Sequence, residues 1–395
     1  MTTQAQPQAI GGPVFTRPVR LLAAFALVAG GLIVWRFAAG LGQTTALNDG
    51  YPWGLWIAFD VVTGSALACG GYALALLVYI MNQGKYHPLV RPALVTSAFG
   101  YSIAGFSVMI DLGRPWEAYK LPFFWHWNLR SVLLEVALCI LSYTIVLWIE
   151  LSPAFLERAQ KSTVAWIRWL GNSWMPTLRK SLVWVVAFGV LLPTMHQSGL
   201  GTLMLLSGPR LHPLWNTIML PLLFLSSCIA MGFAMVVLES ALSSRLLGRR
   251  PEIEMLAGLG SVMRPVLHVY IGIRLIDLIM REQIDRLFAL DFYSIMSLIE
   301  FLVFFGALAL LREERQRRDL GTLVRASMLL LLAGALYRFD VFLVAFQPGA
   351  HWAYFPSVTE ILVTVGLVAG EVAGYILLIK RFPIIAGAPQ AAPAR

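Results

Sequence analysis

The run Pro52-Trp-Gly-Leu-Trp-Ile-Ala-Phe-Asp60 carries a carboxyl group into a stretch from Trp53 to Met81 that has no other acidic or basic side chain. On a helix, Asp60 lies roughly 10 Å inside that stretch. A charge at the bilayer centre costs about 3 kcal/mol on insertion scales, and intramembrane acids mark proton or ligand paths. Trp53, Trp56, Asp60 and Gly64 share one helical face, so two indoles stand above the carboxyl. The alternative is a carboxyl that ties two helices together by a hydrogen bond or ion pair. Other ionisable stripes accompany it. Tyr270, Arg274, Asp277 and Arg281 fall on one face, and Arg274 and Asp277, three apart, can pair. Asn128, Ser131, Glu135 and Cys139 form a second stripe. Leu192-Pro-Thr-Met-His-Gln-Ser-Gly199 brings His196 and Gln197 next to Pro193, which frees a backbone carbonyl one turn earlier. Arg338 and Asp340 point to opposite faces. Glu360, Thr364, Leu367 and Glu371 share a face, with Glu300 at similar depth on another span. These acids form either an inward proton route or isolated neutral carboxyls. Acids, bases, Tyr, Trp and His from several spans converge toward the outer half, which favours a shared polar cavity over separate helix-locking pairs.

The elements that position these groups are membrane spans. The chain has 395 residues, 58% hydrophobic and 13% charged. About 20 apolar residues cross a bilayer, and ten stretches qualify: 19–39, 53–81, 92–110, 131–150, 182–205, 216–240, 256–280, 292–311, 326–345 and 358–379. With the N-terminus cytoplasmic, 20 of the 30 Lys and Arg fall in cytoplasmic segments and 6 in the opposite loops. Both termini are therefore expected inside. The basic balance is a topology signal and does not point to nucleic acid. Residues 1–17 form a short cytoplasmic segment. The first span outruns a cleavable signal and is read as retained. Residues 384–395, rich in Ala and Pro, are expected to be a disordered tail. The connection 151–181 contains an amphipathic stretch, Trp166 to Leu170, expected to lie along the interface. The charged run Arg312–Asp319 is expected to be a topology anchor. Loops 111–130 and 346–357, rich in aromatics, Pro and His, suit either a docking surface or an aromatic belt. Cys69, Cys139 and Cys228 stand singly, too few for an iron–sulfur cluster and poorly spaced for disulfides. Only His196 and His268 fall well within spans; they could supply one haem's axial pair crudely, although His268 faces away from the Asp277 stripe, and the four well-placed histidines that two haems need are absent.

Several segments together resemble a known family. Pro52 to Asp60, Tyr86-His-Pro-Leu-Val-Arg-Pro92, Asp111-Leu-Gly-Arg-Pro115, Leu192 to Ser198 and Asp291-Phe-Tyr-Ser294 are similar to the HybB-type membrane subunit of hydrogenase-2-type nickel–iron hydrogenases, within the NrfD/polysulfide-reductase superfamily. The similarity runs from about Pro18 to Pro383, as one membrane domain over 18–383. The resemblance implies a bacterial inner membrane location, a periplasmic ferredoxin-like iron–sulfur subunit, and the small and large nickel–iron hydrogenase subunits as partners. It also implies menaquinone or ubiquinone bound near the periplasmic face, a haem-free chain, and two four-helix bundles from spans 2–5 and 6–9. Carried onto this sequence, Asp60, Glu135 and His196 become the quinone-proton residues. Trp53, Trp56, Arg114, Arg130, Gln197, Tyr270, Arg274 and Asp277 would shape the pocket or its docking surface. Quinone reduction takes two electrons and two protons, so a buried acid or imidazole beside each ring oxygen is chemically apt.

The expected protein is thus an all-α integral membrane protein of about ten spans, embedded in lipid. It anchors a respiratory hydrogenase and reacts with quinone, while its partners hold the redox metals. Two other classes remain open at this point: a haem-bearing cytochrome b anchor, and a secondary transporter. Transporter sites lie near the bilayer midplane, whereas the polar groups here crowd toward one face.

Overall fold

A computed structural model describes residues 7–386. Ten long helices dominate: α1 (Arg17–Ala39), α2 (Trp56–Ile80), α3 (His87–Asp111), α4 (Val132–Gln160), α5 (Ala165–Leu206), α6 (Leu220–Leu246), α7 (Ile253–Met280), α8 (Phe292–Leu310), α9 (Leu320–Val344) and α10 (Val358–Arg381). Among the described residues nine of these are long and apolar enough to cross a membrane. The exception is α7, expected as the span 256–280. Its 28 residues include Glu254, Arg264, Arg274 and Asp277, which lower its apolar character although it packs in line with α6 and α8.

Helices α2 to α5 pack against one another, as do α6 to α9. The two groups join where α2 meets α6 and α9, and where α5 meets α6. Helices α1 and α10 pair on the outside, with α10 against α3. The joint between the groups needs small residues. A Cβ on Gly232 of α6 would stand 2.5 Å from the Cys69 carbonyl oxygen of α2. Gly366 of α10 similarly lets Ala29 of α1 approach. Close backbone approach of this kind is how helices associate in lipid, where no hydrophobic force separates helix from solvent. The three cysteines are free and buried.

The first and last described segments meet at one end of the molecule. Strand β1 (Pro7–Gln8) pairs antiparallel with β2 (Ile385–Ala386). Arg91 reaches the Pro383 carbonyl and Glu157, and Arg249 reaches the Ala386 carbonyl. Ile384 and Ile385, expected in the disordered tail, are instead buried; the rest of that expected tail, residues 387–395, lies outside the described residues. The connection 151–181 also differs from expectation. Helix α4 continues to Gln160 and α5 starts at Ala165, so the Trp166–Leu170 stretch is the first part of a 42-residue helix. At 1.5 Å per residue that helix is about 63 Å long, roughly twice the hydrocarbon thickness. Neither Pro176 nor Pro193 breaks it. The charged run 312–319 folds as a short helix, Glu314–Arg318, against α7, with Arg317 buried and bonded to the Leu311 and Arg312 carbonyls.

Candidate functional site

Asp60 sits in a π-helical segment, Trp56–Thr63, at the start of α2. Such one-turn expansions are frequent at functional sites because they re-aim side chains without ending the helix. Asp60 is 3% exposed, and its Oδ2 accepts from the Thr364 hydroxyl of α10 at 2.9 Å. Ser107 of α3 borders it. The two indoles fix this end of α2. The Trp53 ring nitrogen donates to the Phe342 carbonyl of α9 at 2.8 Å, and that of Trp56 to the Glu360 carbonyl of α10 at 3.2 Å. Glu360 is itself spent on structure, accepting from the Ala46 and Ser357 amides and the Tyr354 hydroxyl at the start of α10.

From the buried Asp60 a series of carboxyls, Glu371 and Glu239, both partly buried, runs toward the end of the molecule where β1 pairs with β2. Glu371, seven residues beyond Thr364 on α10, has Asp60 and Glu239 as its electrostatic neighbours. Glu239 of α6 accepts from the Thr96 hydroxyl of α3 at 2.8 Å and the Tyr375 hydroxyl of α10 at 2.7 Å. It then lines a small cleft with Ser240, Arg249, Glu252, Ile385 and Ala386. Thr364, Glu371 and Tyr375 lie on one face of α10 and span about 16 Å.

His196 and Gln197 of α5 belong to a different face of α2. Both rings and amide are fully buried and meet the Ser65 hydroxyl, at 3.1 Å and 3.0 Å. Tyr101 of α3 packs edge-on to His196, with ring centroids 5.6 Å apart. The structure does not bring His196 beside Asp60: Asp60 points to α10 and Ser65 to α5.

A third polar cluster fills the second bundle. Arg274 is buried and pairs with Glu300 of α8, which also accepts from the Trp215 indole at 3.2 Å. Arg274 donates to the Tyr270 hydroxyl and lies over the rings of Phe301 and Tyr337. The expected Arg274–Asp277 pair is corrected. Asp277 instead pairs with Arg281 at 2.6 Å and accepts from Thr217 at 2.6 Å. A fully buried acid on the facing helix neutralises Arg274, while the less deeply buried Asp277 on its own helix is taken by Arg281. Arg338 bridges the bundles by donating to the Val62 and Phe224 carbonyls. Asp340, two residues on, is 1% exposed, and neither of its oxygens has a hydrogen-bond partner among the described residues.

Three expected site residues stand apart from all these clusters. Glu135 is exposed in the first turn of α4, where an acid suits the helix dipole. Arg114 and Arg130 are exposed in the loop between α3 and α4. That loop also exposes Trp116, Tyr119, Phe124, Trp125 and Leu129, the last at 85%. Lys120 pairs there with Glu117, and that bond holds the Glu117 carboxyl below its ordinary range and the Lys120 ammonium above its own. Sequence reasoning missed Glu239, Tyr375, Ser65 and Trp215. Glu239, an acid at the end of an apolar span, offered a signal; Ser65 offered none.

Comparison with known proteins gives a consistent picture. The family described as Polysulphide reductase, NrfD matches residues 43–348. The "Probable Ni/Fe-hydrogenase 2 b-type cytochrome subunit" of Escherichia coli is 42% identical, covering 96% of this chain and 95% of its own. A Nitratidesulfovibrio vulgaris protein is 34% identical over 90% of each chain. The "Menaquinone reductase, integral membrane subunit" of that organism is 29% identical over 61% of this chain and 57% of its own. The Escherichia coli relative overturns the expectation that haem is absent, since it is described as a b-type cytochrome subunit. The two intramembrane imidazoles do not fit a shared axial pair. His196 is enclosed against Ser65 and Tyr101, while His268 faces outward on α7 with Nδ1 on the Arg264 carbonyl at 2.8 Å. With that match over most of its length, and with a relative aligned almost end to end, the chain belongs to the NrfD (polysulphide reductase) family of integral membrane proteins.

Proposed function

We propose that this chain is the membrane anchor and quinone-reacting subunit of a respiratory nickel–iron hydrogenase in a bacterial inner membrane. The relatives named as a hydrogenase 2 membrane subunit and a menaquinone reductase membrane subunit support an anchor in quinone-linked electron transfer. The observation that carries the finer reading is Asp60, a buried carboxyl held by Thr364 at the head of a chain of acids.

Electrons from dihydrogen reach the outer face through an iron–sulfur partner. The aromatic loop with Arg114, His126 and Arg130 supplies its docking surface, since exposed aromatics and arginine are what interface cores use. Quinone accepts two electrons and two protons and leaves as quinol. Asp60 delivers one proton to a ring oxygen, is reloaded through Glu371 and Glu239 from the side where β1 pairs with β2, and supplies the second proton to the other ring oxygen as the quinol forms. Thr364 fixes the Asp60 carboxyl, and Trp53 and Trp56 hold the start of α2 against α9 and α10. His196 and Gln197 support α2 from the opposite face through Ser65. The Arg274–Glu300 pair, whose charges are already matched, serves as structural ballast of the second bundle.

The acid series is tested by Glu371→Gln and Glu239→Gln in the assembled complex. Each amide keeps the shape and some hydrogen bonds but cannot release a proton. Dihydrogen-dependent quinone reduction should fall by about tenfold or more, within the range of a lost proton-transfer group. Reduction of an artificial dye by the hydrogenase subunits should be unchanged. Wild-type quinone turnover in both variants would remove the route.

A further inference from the structure

On the outside of the second bundle, away from the acid series, a cleft of about 800 Å³ opens between α7 and α8. Its floor is Pro265, Val269, Phe305 and Leu308, and its rim is Arg264, His268 and Arg312. We propose that this cleft binds an anionic phospholipid, with the phosphate between Arg264 and Arg312 and an acyl chain along the apolar floor.

The depth of the rim comes from one contact. Arg264 stands about 16 Å along α7, which by count alone would put it inside the hydrocarbon. Its Nη1, however, donates to the Arg312 carbonyl at 3.1 Å, and Arg312 lies two residues past the end of α8. Arg264 is therefore level with the end of a 19-residue helix, at the membrane boundary. This is the end of the bundle at which α9 begins and β1 pairs with β2.

Charge sets the class of ligand. The Arg312 carbonyl also receives Arg317, so three guanidinium-bearing residues gather at one turn. The nearby acids are engaged elsewhere: Glu254 and Glu314 both pair with Arg318, and the Glu313 side chain caps the helix Glu314–Arg318. No carboxylate lies within ion-pair distance of Arg264 or Arg312 among the described residues, and both side chains are exposed. Capping the end of α8 accounts for one nitrogen of Arg264 and for none of the Arg312 side chain. Guanidinium groups left at the headgroup level recognise phosphate through paired N–H donors, and basic pockets between membrane helices take anionic headgroups. His268 lies one turn deeper, its Nδ1 hydrogen already given to the Arg264 carbonyl. Its other nitrogen is thus the polar atom left at the level of the lipid's glycerol backbone. Below it, exposed Val269 and Phe305 offer a track for a hydrocarbon chain.

The full-length chain, purified in mild detergent and stripped of lipid, is titrated with phosphatidylglycerol or phosphatidylcholine and read by native mass spectrometry. Wild type should retain phosphatidylglycerol in preference to phosphatidylcholine. Arg312→Gln, which disturbs no internal bond of that side chain, should weaken phosphatidylglycerol retention several-fold, and the R264Q/R312Q pair by about tenfold or more. Phosphatidylcholine retention should not change. Phe305→Trp, which fills the floor without touching charge, should also weaken retention and keeps the test decisive where the arginine pair folds poorly. Arg179→Gln on α5 is the control and should behave as wild type. Equal retention of both lipids by wild type, or unaltered phosphatidylglycerol retention in R312Q and F305W, overturns the proposal. A Soret band present in wild type and lost in R312Q would assign the cleft to a haem carboxylate instead and equally overturn it.

Discussion

Arg274 and Asp60 show how differently two buried charges can be treated by one membrane protein. Arg274 has a matched acid in Glu300, an indole beyond it and aromatic rings around it. Removing one member of such a pair strands the other. Arg274→Gln should therefore lower stability by about 3–5 kcal/mol, read as a fall in the unfolding temperature of the purified complex, and Arg274→Gln with Glu300→Gln should recover much of it. A single variant as stable as wild type would show that the pair is solvated. Asp60 accepts the Thr364 hydroxyl, borders Ser107 and has no cation partner among the described residues, as suits a group that must pick up and release a proton. The sequence made Asp60 legible because it is alone in a long apolar run. It could not assign Arg274, since Asp277, on the same helix, looks like a partner until Glu300 of the neighbouring helix is placed. Glu135 misleads for a related reason: a polar stripe shows which residues share a face and not whether that face meets a helix or the outside.

At the scale of elements, the spans were legible from apolar length, and their ends were less so. Helices α4 and α5 run far past their hydrocarbon segments because nothing in 151–181 stops a helix except the short turn at 161–164. The joint between the two bundles was invisible beforehand, since a glycine in an apolar run carries no sign of its neighbour. Gly232 is one of its tight points, with the Cys69 carbonyl where a side chain would begin, and Gly201 of α5 meets the Leu220 carbonyl of α6 as closely. Gly232→Val should push α2 from α6 and destabilise the chain by about 1–3 kcal/mol or more, the usual result of overpacking. Thermal unfolding in detergent measures this, and an unchanged midpoint would mean that the helices can part without cost.

For the whole molecule, the family was readable from a combination of short motifs, and its match over residues 43–348 bears this out. Counting histidines misled about haem: the expectation that it is absent is overturned by the Escherichia coli relative, which is described as a b-type cytochrome subunit. The pairing of β1 with β2 puts the first and last described segments on one side of the bundle. With 20 of the 30 basic residues in segments assigned to that side, it should be cytoplasmic. A reporter active only in the periplasm, fused after Arg395, should be silent, whereas one inserted in the loop at 121–123 should be active. The reverse pattern would invert the direction of the acid series.

The central claim is that Asp60 passes protons to a quinone whose electrons come from a hydrogenase partner. Asp60→Asn tests it most directly, because the amide is nearly isosteric with the acid and can still receive the Thr364 hydroxyl. The measurement is dihydrogen-dependent quinone reduction by the membrane-bound complex, beside dihydrogen-dependent reduction of a dye that bypasses this chain. Quinone reduction should fall by about 100-fold or more, as expected for loss of a proton donor in the rate-limiting chemistry, with subunit composition and dye reduction unchanged. Quinone turnover at the wild-type rate in an assembled Asp60→Asn complex would contradict the account.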